Sequence, residues 1–233
     1  MRRPATGLAL MFVAMAAGLL ASIGPLHAAE PGLRFYRGGV TMTLSPADIP
    51  TAELNSETGD PVLIMRFAPE AARRITDFTS RLVGRPTSGI FDDRLWFSNM
   101  IVREEIASES GAFSGFDATT IGDFIARLDT LRGRPDSSET PIVTFFETDE
   151  IYVVSPDVFR VMPRDDDSVA VCVGRPSRDA FERLEITEGQ SWWLILGDHV
   201  VDDWSYRPED KDCPVVIAGT TADTFREAGI PVE

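Results

Sequence analysis

The sequence predicts an α+β fold: two tandem two-layer sandwiches, each a mainly antiparallel sheet with helices on one face. Three observations predict it. Stretches of helical and strand periodicity mix along the chain, with hairpin patterns among them. Those stretches occur in the same order twice. No period of twenty to fifty residues is present, so the repetition is one of domains and not of a solenoid.

The repetition can be followed by position. Ser45-Pro46 corresponds to Ser155-Pro156, an offset of 110, and the strand pattern at 62–66 to that at 169–173, an offset of 107. Gly84 matches Gly189 and Asp93 matches Asp198, both at 105. Thr119-Thr120 and Phe124 match Thr220-Thr221 and Phe225 at 101. The offset falls steadily, as small loop deletions in a second copy would produce. Residues 29–134 are therefore read as one domain and 135–233 as a second, degenerate copy, joined through the polar, turn-forming stretch 132–139 (R-G-R-P-D-S-S-E).

Residues 1–28 read as a secretory signal. Arg2 and Arg3 form the positive start, 8–20 are almost wholly apolar, and Leu26-His27-Ala28 offers a small residue for cleavage before Ala29. An uncleaved anchor is the alternative reading, although the apolar stretch is marginal for a span and is interrupted near Gly24-Pro25. No later stretch approaches the length of a membrane helix. The expected location is periplasmic or secreted. Cleavage leaves 205 residues and takes the net charge from −15 to −17. That acidity disfavours nucleic acid and anionic lipid as partners.

In the first copy, Val40, Met42 and Leu44 alternate with Thr41 and Thr43 as a half-buried strand. Ser45 is an N-cap candidate, Pro46 suits the first helical position, and Pro50 keeps that helix short. A polar turn at 55–60 leads to a strand at 62–67. Pro69 then opens a helix with Ala72, Ile75, Phe78 and Leu82 on one face, ended by Gly84-Arg85-Pro86. Residues 88–91 and 94–98 form a hairpin around Asp92-Asp93, a loop covers 102–111, and a last helix over about 118–131 turns Ile121, Phe124, Ile125, Leu128 and Leu131 inward. The second copy offers Ala180, Phe181 and Leu184 as a helix face, a hairpin at 192–196 and 199–202, and a final helix face of Ala222, Phe225 and Ala228.

Cys172 and Cys213 are the only cysteines. In an exported chain an even count suggests a disulfide between them; two buried free thiols are the alternative. A metal site is not expected, since His199 is the one histidine beyond the signal. Asp165-Asp166-Asp167 lacks the alternating acidic spacing of an EF-hand loop and reads as a solvated turn. No cofactor is expected, because no glycine-rich phosphate cradle is present.

Nucleophilic catalysis lacks its parts: there is no Cys–His pairing and no G-x-S-x-G elbow. Carboxylate pairs are plentiful, as they must be in so acidic a chain. The aromatics carry more information. Trp192 and Trp193 are adjacent on a strand and should point to opposite faces, as should Trp96 and Phe97. One member of each pair would then lie on the sheet face away from the helices. Such a face is either covered by the other copy or by a loop, or it is a groove for extended apolar polypeptide. Phe113 and Phe116, beside Gly111 and Gly115, could rim that groove. The binding candidates are thus Trp96, Phe97, Phe113, Phe116, Trp192 and Trp193.

Residues 55–62 (N-S-E-T-G-D-P-V), 71–79 (A-A-R-R-I-T-D-F-T) and 83–86 (V-G-R-P) resemble the extracytoplasmic P1 head of the SecD subunit of the SecDF protein-export machinery. Ser114-Gly115-Phe116 before a helix is similar to that family's closing segment, and the likeness covers about residues 40–131. The family's hairpin turn is Asp-Gly, where this chain has Asp92-Asp93. The family also carries transmembrane helices that harvest the proton gradient, and no such segment follows the signal here. The resemblance implies a P1-head-like fold and a non-enzymatic binding module. Its partners would be unfolded or exported polypeptide, or a membrane protein of the export pathway or envelope. A secreted hydrolase using paired carboxylates, or a purely structural envelope protein, are the readings of other classes.

Overall fold

The computed structural model describes residues 33–57, 59–134, 140–154, 159–164, 167–173, 191–201, 203–207, 210 and 212–232. The signal-like segment, the helix face expected at Ala180, Phe181 and Leu184, and most of the triple-aspartate turn lie outside them. The fold is α+β, with mostly antiparallel sheets and few helices.

The first half contains β1 (Leu33–Gly38), β2 (Thr41–Leu44), a 3-10 turn (Pro46–Asp48), β3 (Thr51–Asn55), β4 (Val62–Arg66), α1 (Pro69–Leu82), β5 (Pro86–Phe91), β6 (Arg94–Ile101), β7 (Ser110–Ser114) and α2 (Ala118–Arg132). The second half contains β8 (Val143–Glu147), β9 (Glu150–Val154), β10 (Phe159–Pro163), β11 (Ser168–Val173), β12 (Ser191–Leu196), β13 (His199–Val201), β14 (Trp204–Tyr206), β15 (Val215–Ala218) and α3 (Ala222–Glu227).

The helices form where apolar spacing and end signals agree. α1 starts at a proline, which has no N–H to leave unpaired, and turns Ala71, Ala72, Ile75, Phe78, Thr79 and Leu82 inward. Gly84, at φ +80°, lets the chain reverse just beyond its end. α2 is capped by Asp117, whose carboxylate accepts from the Thr120 N–H at 2.8 Å, and it buries Ile121, Phe124, Leu128 and Leu131.

One eight-stranded sheet runs β2-β8-β5-β6-β13-β12-β1-β9. Two smaller sheets, β3-β4-β7 and β10-β11-β15-β14, pack on its two halves. The large sheet reads alike from both ends. β8, from the second half of the chain, lies between β2 and β5; β1, from the first half, lies between β9 and β12. Each half therefore lends a strand to the other. The registers match as well: Met42 faces Phe145 as Tyr152 faces Phe35, and Gly89 faces Phe145 as Leu194 faces Phe35. In the small sheets Thr51 faces Arg66 as Phe159 faces Val173.

The halves meet through their hairpin tips. The Leu95 N–H donates to the Asp198 carbonyl at 2.6 Å, and the Val200 N–H donates to the Asp93 carbonyl at 2.9 Å. These two bonds are exchanged by the offset of 105, so the midpoint of the sheet lies between Arg94 and His199. Asp92 and Asp93 sit at φ 50° and 62°, the two left-handed positions of a type I′ turn. Aspartate tolerates them at a modest cost.

The sheet also rolls up. β1 and β8 are five places apart, a separation of roughly 24 Å in a flat sheet at 4.8 Å per strand. Yet the Tyr36 and Phe146 rings lie 5.9 Å apart, edge to face. The Asp149 N–H donates to the Arg37 carbonyl at 2.9 Å at the end of the β1–β9 ladder, two residues after β8 ends. A Cβ on Gly38 would stand 1.9 Å from the Glu147 carbonyl oxygen, so only glycine fits at that contact. The inside of the roll holds a small apolar cluster of Tyr36, Ile90, Phe146 and Ile195. The outside carries two larger cores, one under β3-β4-β7 with α1 and α2, the other under β10-β11-β15-β14 with α3.

Cys172 and Cys213 are joined as a disulfide, which ties β11 to the approach of β15.

Candidate functional site

Where the halves meet, the β5–β6 hairpin and α2 flank an open cleft of about 510 Å³. Phe91, Leu95, Trp96 and Phe124 form its apolar wall. Its polar rim comes from Asp92, Arg94, Asp123, Arg127 and Asp198. Trp96 is sandwiched between Phe124 and Phe116, with ring centroids 4.4 and 5.0 Å away and both interplanar angles 11°. Phe91 packs against Phe124 at a tilt of 44°, with centroids 4.4 Å apart. Aromatic pairs of this kind contribute about 0.5–1.5 kcal/mol each beyond their burial.

A local irregularity builds this arrangement. Ile90 faces Leu95 but Gly89 faces Phe97, so Trp96 is an extra residue without an opposite number. Such a bulge breaks the alternation of faces. Trp96 and Phe97 consequently enter the same core, contrary to the opposite faces that their adjacency predicts. Gly89 makes room for this: a Cβ there would meet the Phe97 ring at 2.3 Å. A second register shift follows between Thr87 and Gly89, near Asn99, which is left-handed at φ 59°. The matching hairpin of the second half is regular over its paired residues. Trp192 and Trp193 do alternate, Trp192 packing with the second core and Trp193 with the cluster inside the roll.

The six aromatic candidates thus fall into three places. Trp96, Phe97 and Phe116 are buried and Phe113 is half-buried, all in the first core. Trp192, half-buried, lies 5.9 Å from the Tyr152 ring. Trp193, also half-buried, stacks on Phe146 at 4.1 Å. The sheet face that carries Trp193 is covered by the opposite half of the roll.

Electrostatics at the rim are dominated by arginine–carboxylate pairs. Arg127 Nε lies 2.5 Å from Asp92, and Arg94 lies 3.3 Å from Asp198. The Asp92 carboxylate raises the Arg127 pKa further above its ordinary value. His199 is half-exposed, with Nε2 3.7 Å from Asp198. Sequence reasoning did not find Arg94, Arg127 or Asp123 as rim residues. The helical spacing from Thr120 through Asp123 and Phe124 to Arg127 was there to be read, but the hairpin it faces could not be placed.

The fold and the cleft together define an α+β protein with an aromatic-walled, ion-paired recess at the seam of its two halves. No family model matches the chain, and no curated protein matches it either. Two solved structures are similar over 54% of this chain, at 15% identity and a TM-score of 0.34. One is described as a membrane component, SecDF, that enhances protein export, and 70% of that chain is covered. The other is SecDF in a super-membrane-facing form, of which 21% is covered. Among the described residues, no helix is long and apolar enough to cross a membrane.

Proposed function

We propose that this chain is an exported binding module of the protein-export or envelope apparatus, which holds polypeptide or a membrane partner by contact and performs no bond chemistry. The observation that carries this reading is the cleft itself: half-buried Leu95 beside the packed rings of Phe91, Trp96 and Phe124 on one side, with charges of both signs at the rim. A pocket with an apolar wall and a few polar groups is the usual form of a recognition site. The signal-like pattern of residues 1–28 supports export. The likeness of residues 55–62, 71–79 and 83–86 to the SecD P1 head supports the pathway. Engagement of Asp92 by Arg127 and of Asp198 by Arg94 favours a contact surface over an acid–base pair. The organisation as two copies, 29–134 and 135–233, belongs to the same proposal, and the matching strand registers of the two sheet halves support it.

The test is photo-crosslinking from Leu95, a half-buried residue of the cleft wall. With the photoreactive group there, an unfolded, reduced and alkylated protein should be captured, and the same protein in its folded form should not. Export precursors should be captured in cells. Equal yields with folded and unfolded protein would sink the reading.

A further inference from the structure

The two lent strands are alike where they are buried. β8 fills the slot between β2 and β5, and β1 fills the slot between β9 and β12. At the offset of 110, Leu33, Phe35 and Tyr36 correspond to Val143, Phe145 and Phe146, and all of them are buried. The registers agree as well. Phe145 lies opposite Met42 and Gly89, and Phe35 lies opposite Tyr152 and Leu194. By register and apolar pattern, β1 of a second copy of this chain fits the slot that β8 fills. Exchange of equivalent elements in this way links chains to one another.

The next residue is where the strands differ. Arg37 on β1 corresponds to Glu147 on β8. Each takes the same place in its slot: Glu147 lies opposite Thr87 and Arg37 opposite Trp192, again at the offset of 105. Glu147 is 3% exposed, the one charged side chain in the core of the described residues, and it is ion-paired with Arg85. Asp149 stands 3.3 Å from the same guanidinium. In the other slot, Glu150 of β9 is the residue opposite Arg37. The native arrangement thus brings unlike charges into both slots. The exchanged arrangement would set Arg37 beside Arg85, with uncharged Gly39 in the place of Asp149, and would set Glu147 opposite Glu150. Like charges facing each other across strands destabilise the pairing, and a buried charge left without its partner is strongly unfavourable.

We infer that Arg85, Glu147, Arg37 and Glu150 select which strand enters which slot. They admit β8 to the slot between β2 and β5, admit β1 to the slot between β9 and β12, and exclude β1 of a second copy from the first slot. That slot is an interface which a second chain matches in apolar pattern and which refuses it by charge. The halves of one chain are thereby kept paired with each other, helped by the high effective concentration of a linked half. Fixing register and partner, more than adding stability, is the best-attested use of a buried ion pair, and repulsion in the wrong arrangement is what makes such a choice selective. The inference goes beyond the proposed function and stands independently of it.

The test is to refold the full chain from urea over a range of protein concentrations and to size the products by gel filtration with light scattering. The wild type should refold to monomer. Arg85→Glu repels Glu147 and suits Arg37, so it should raise the ratio of linked chains to monomer by about tenfold, the scale of turning an attractive charge pair into a repulsive one. Adding Glu147→Arg to it should restore the monomer. Glu147→Gln, which removes the charge without reversing it, should lower the denaturation midpoint and leave the chain monomeric. Arg37→Glu together with Glu147→Arg moves each charge to the wrong strand and should give the largest share of linked chains. A wild type that links, an Arg85→Glu variant that stays monomeric, or linked chains of that variant that Glu147→Arg does not remove would each overturn the inference. Should Arg85→Glu fail to fold, Arg37→Glu decides: its position is half-buried and lies outside the Arg85 pair. It should still yield folded, linked chains, and a monomer there would overturn the selection.

Discussion

Asp48 is held by three donors: the Ser45 N–H at 2.8 Å, the Ser45 hydroxyl at 3.0 Å and Arg74 at 2.7 Å. Burial works against its ionisation, but the Ser45 hydrogen bonds and the arginine outweigh it and hold the carboxyl below its ordinary value. A folded-state pKa lower than the unfolded one stabilises the protein above the ordinary carboxylate range, and the gain is lost as pH falls through the folded value. Asp48→Asn should therefore cost about 1 kcal/mol at neutral pH, with the deficit closing below about pH 4. Urea midpoints of both proteins at pH 7 and pH 3 measure this. A deficit unchanged between the two would mean that the carboxylate charge contributes nothing. The sequence pattern of Ser45, Pro46 and Asp48 announced this turn, because cap, proline and first-turn acid are all local signals. It gave no sign of Arg74, which arrives from α1.

Elements whose identity rests on local periodicity were the legible ones. α1 and α2 bury the faces their spacing predicted, and Gly84 ends α1 where expected. Strands that depend on a distant partner were not legible. β1 and β8 each owe their pairing to residues of the opposite half. The bulge at Trp96 was hidden for the same reason: an extra residue is defined only against the strand opposite. The disulfide is legible as a count and acts on an element. It anchors β11, whose Val169, Val171 and Val173 are buried in the second core. Closing a loop over a sequence separation of 41 residues removes unfolded-state freedom. Cys172→Ala with Cys213→Ala should lower stability by about 3–4 kcal/mol in the chain-entropy model. The check is the shift in denaturation midpoint on a reducing agent, which the wild type should show and the double variant should not.

At the scale of the whole molecule, the lent strands bind the halves more firmly than their hairpin tips do. β8 brings Val143, Phe145 and Phe146 into the first half, and β1 brings Leu33, Phe35 and Tyr36 into the second, all buried. Each strand also forms two ladders there. Six such side chains, at about 1.5–3 kcal/mol each, amount to roughly 9–18 kcal/mol of transfer free energy, an upper bound because unfolded chains already bury some surface. Even half of that exceeds what rigid-body association of two fragments costs at its lower estimates of about 4 kcal/mol. A chain cut between residues 134 and 140 should therefore stay in one piece. With a protease site inserted there, the two fragments should co-elute after cleavage under native conditions and separate only in denaturant. They should keep the tryptophan emission of the uncut chain, since Trp193 rests on Phe146 of its own half but inside a roll that both halves close. Fragments that part on dilution, each still folded, would mean that β1 and β8 pair within their own halves and that the rolled sheet is not the native arrangement.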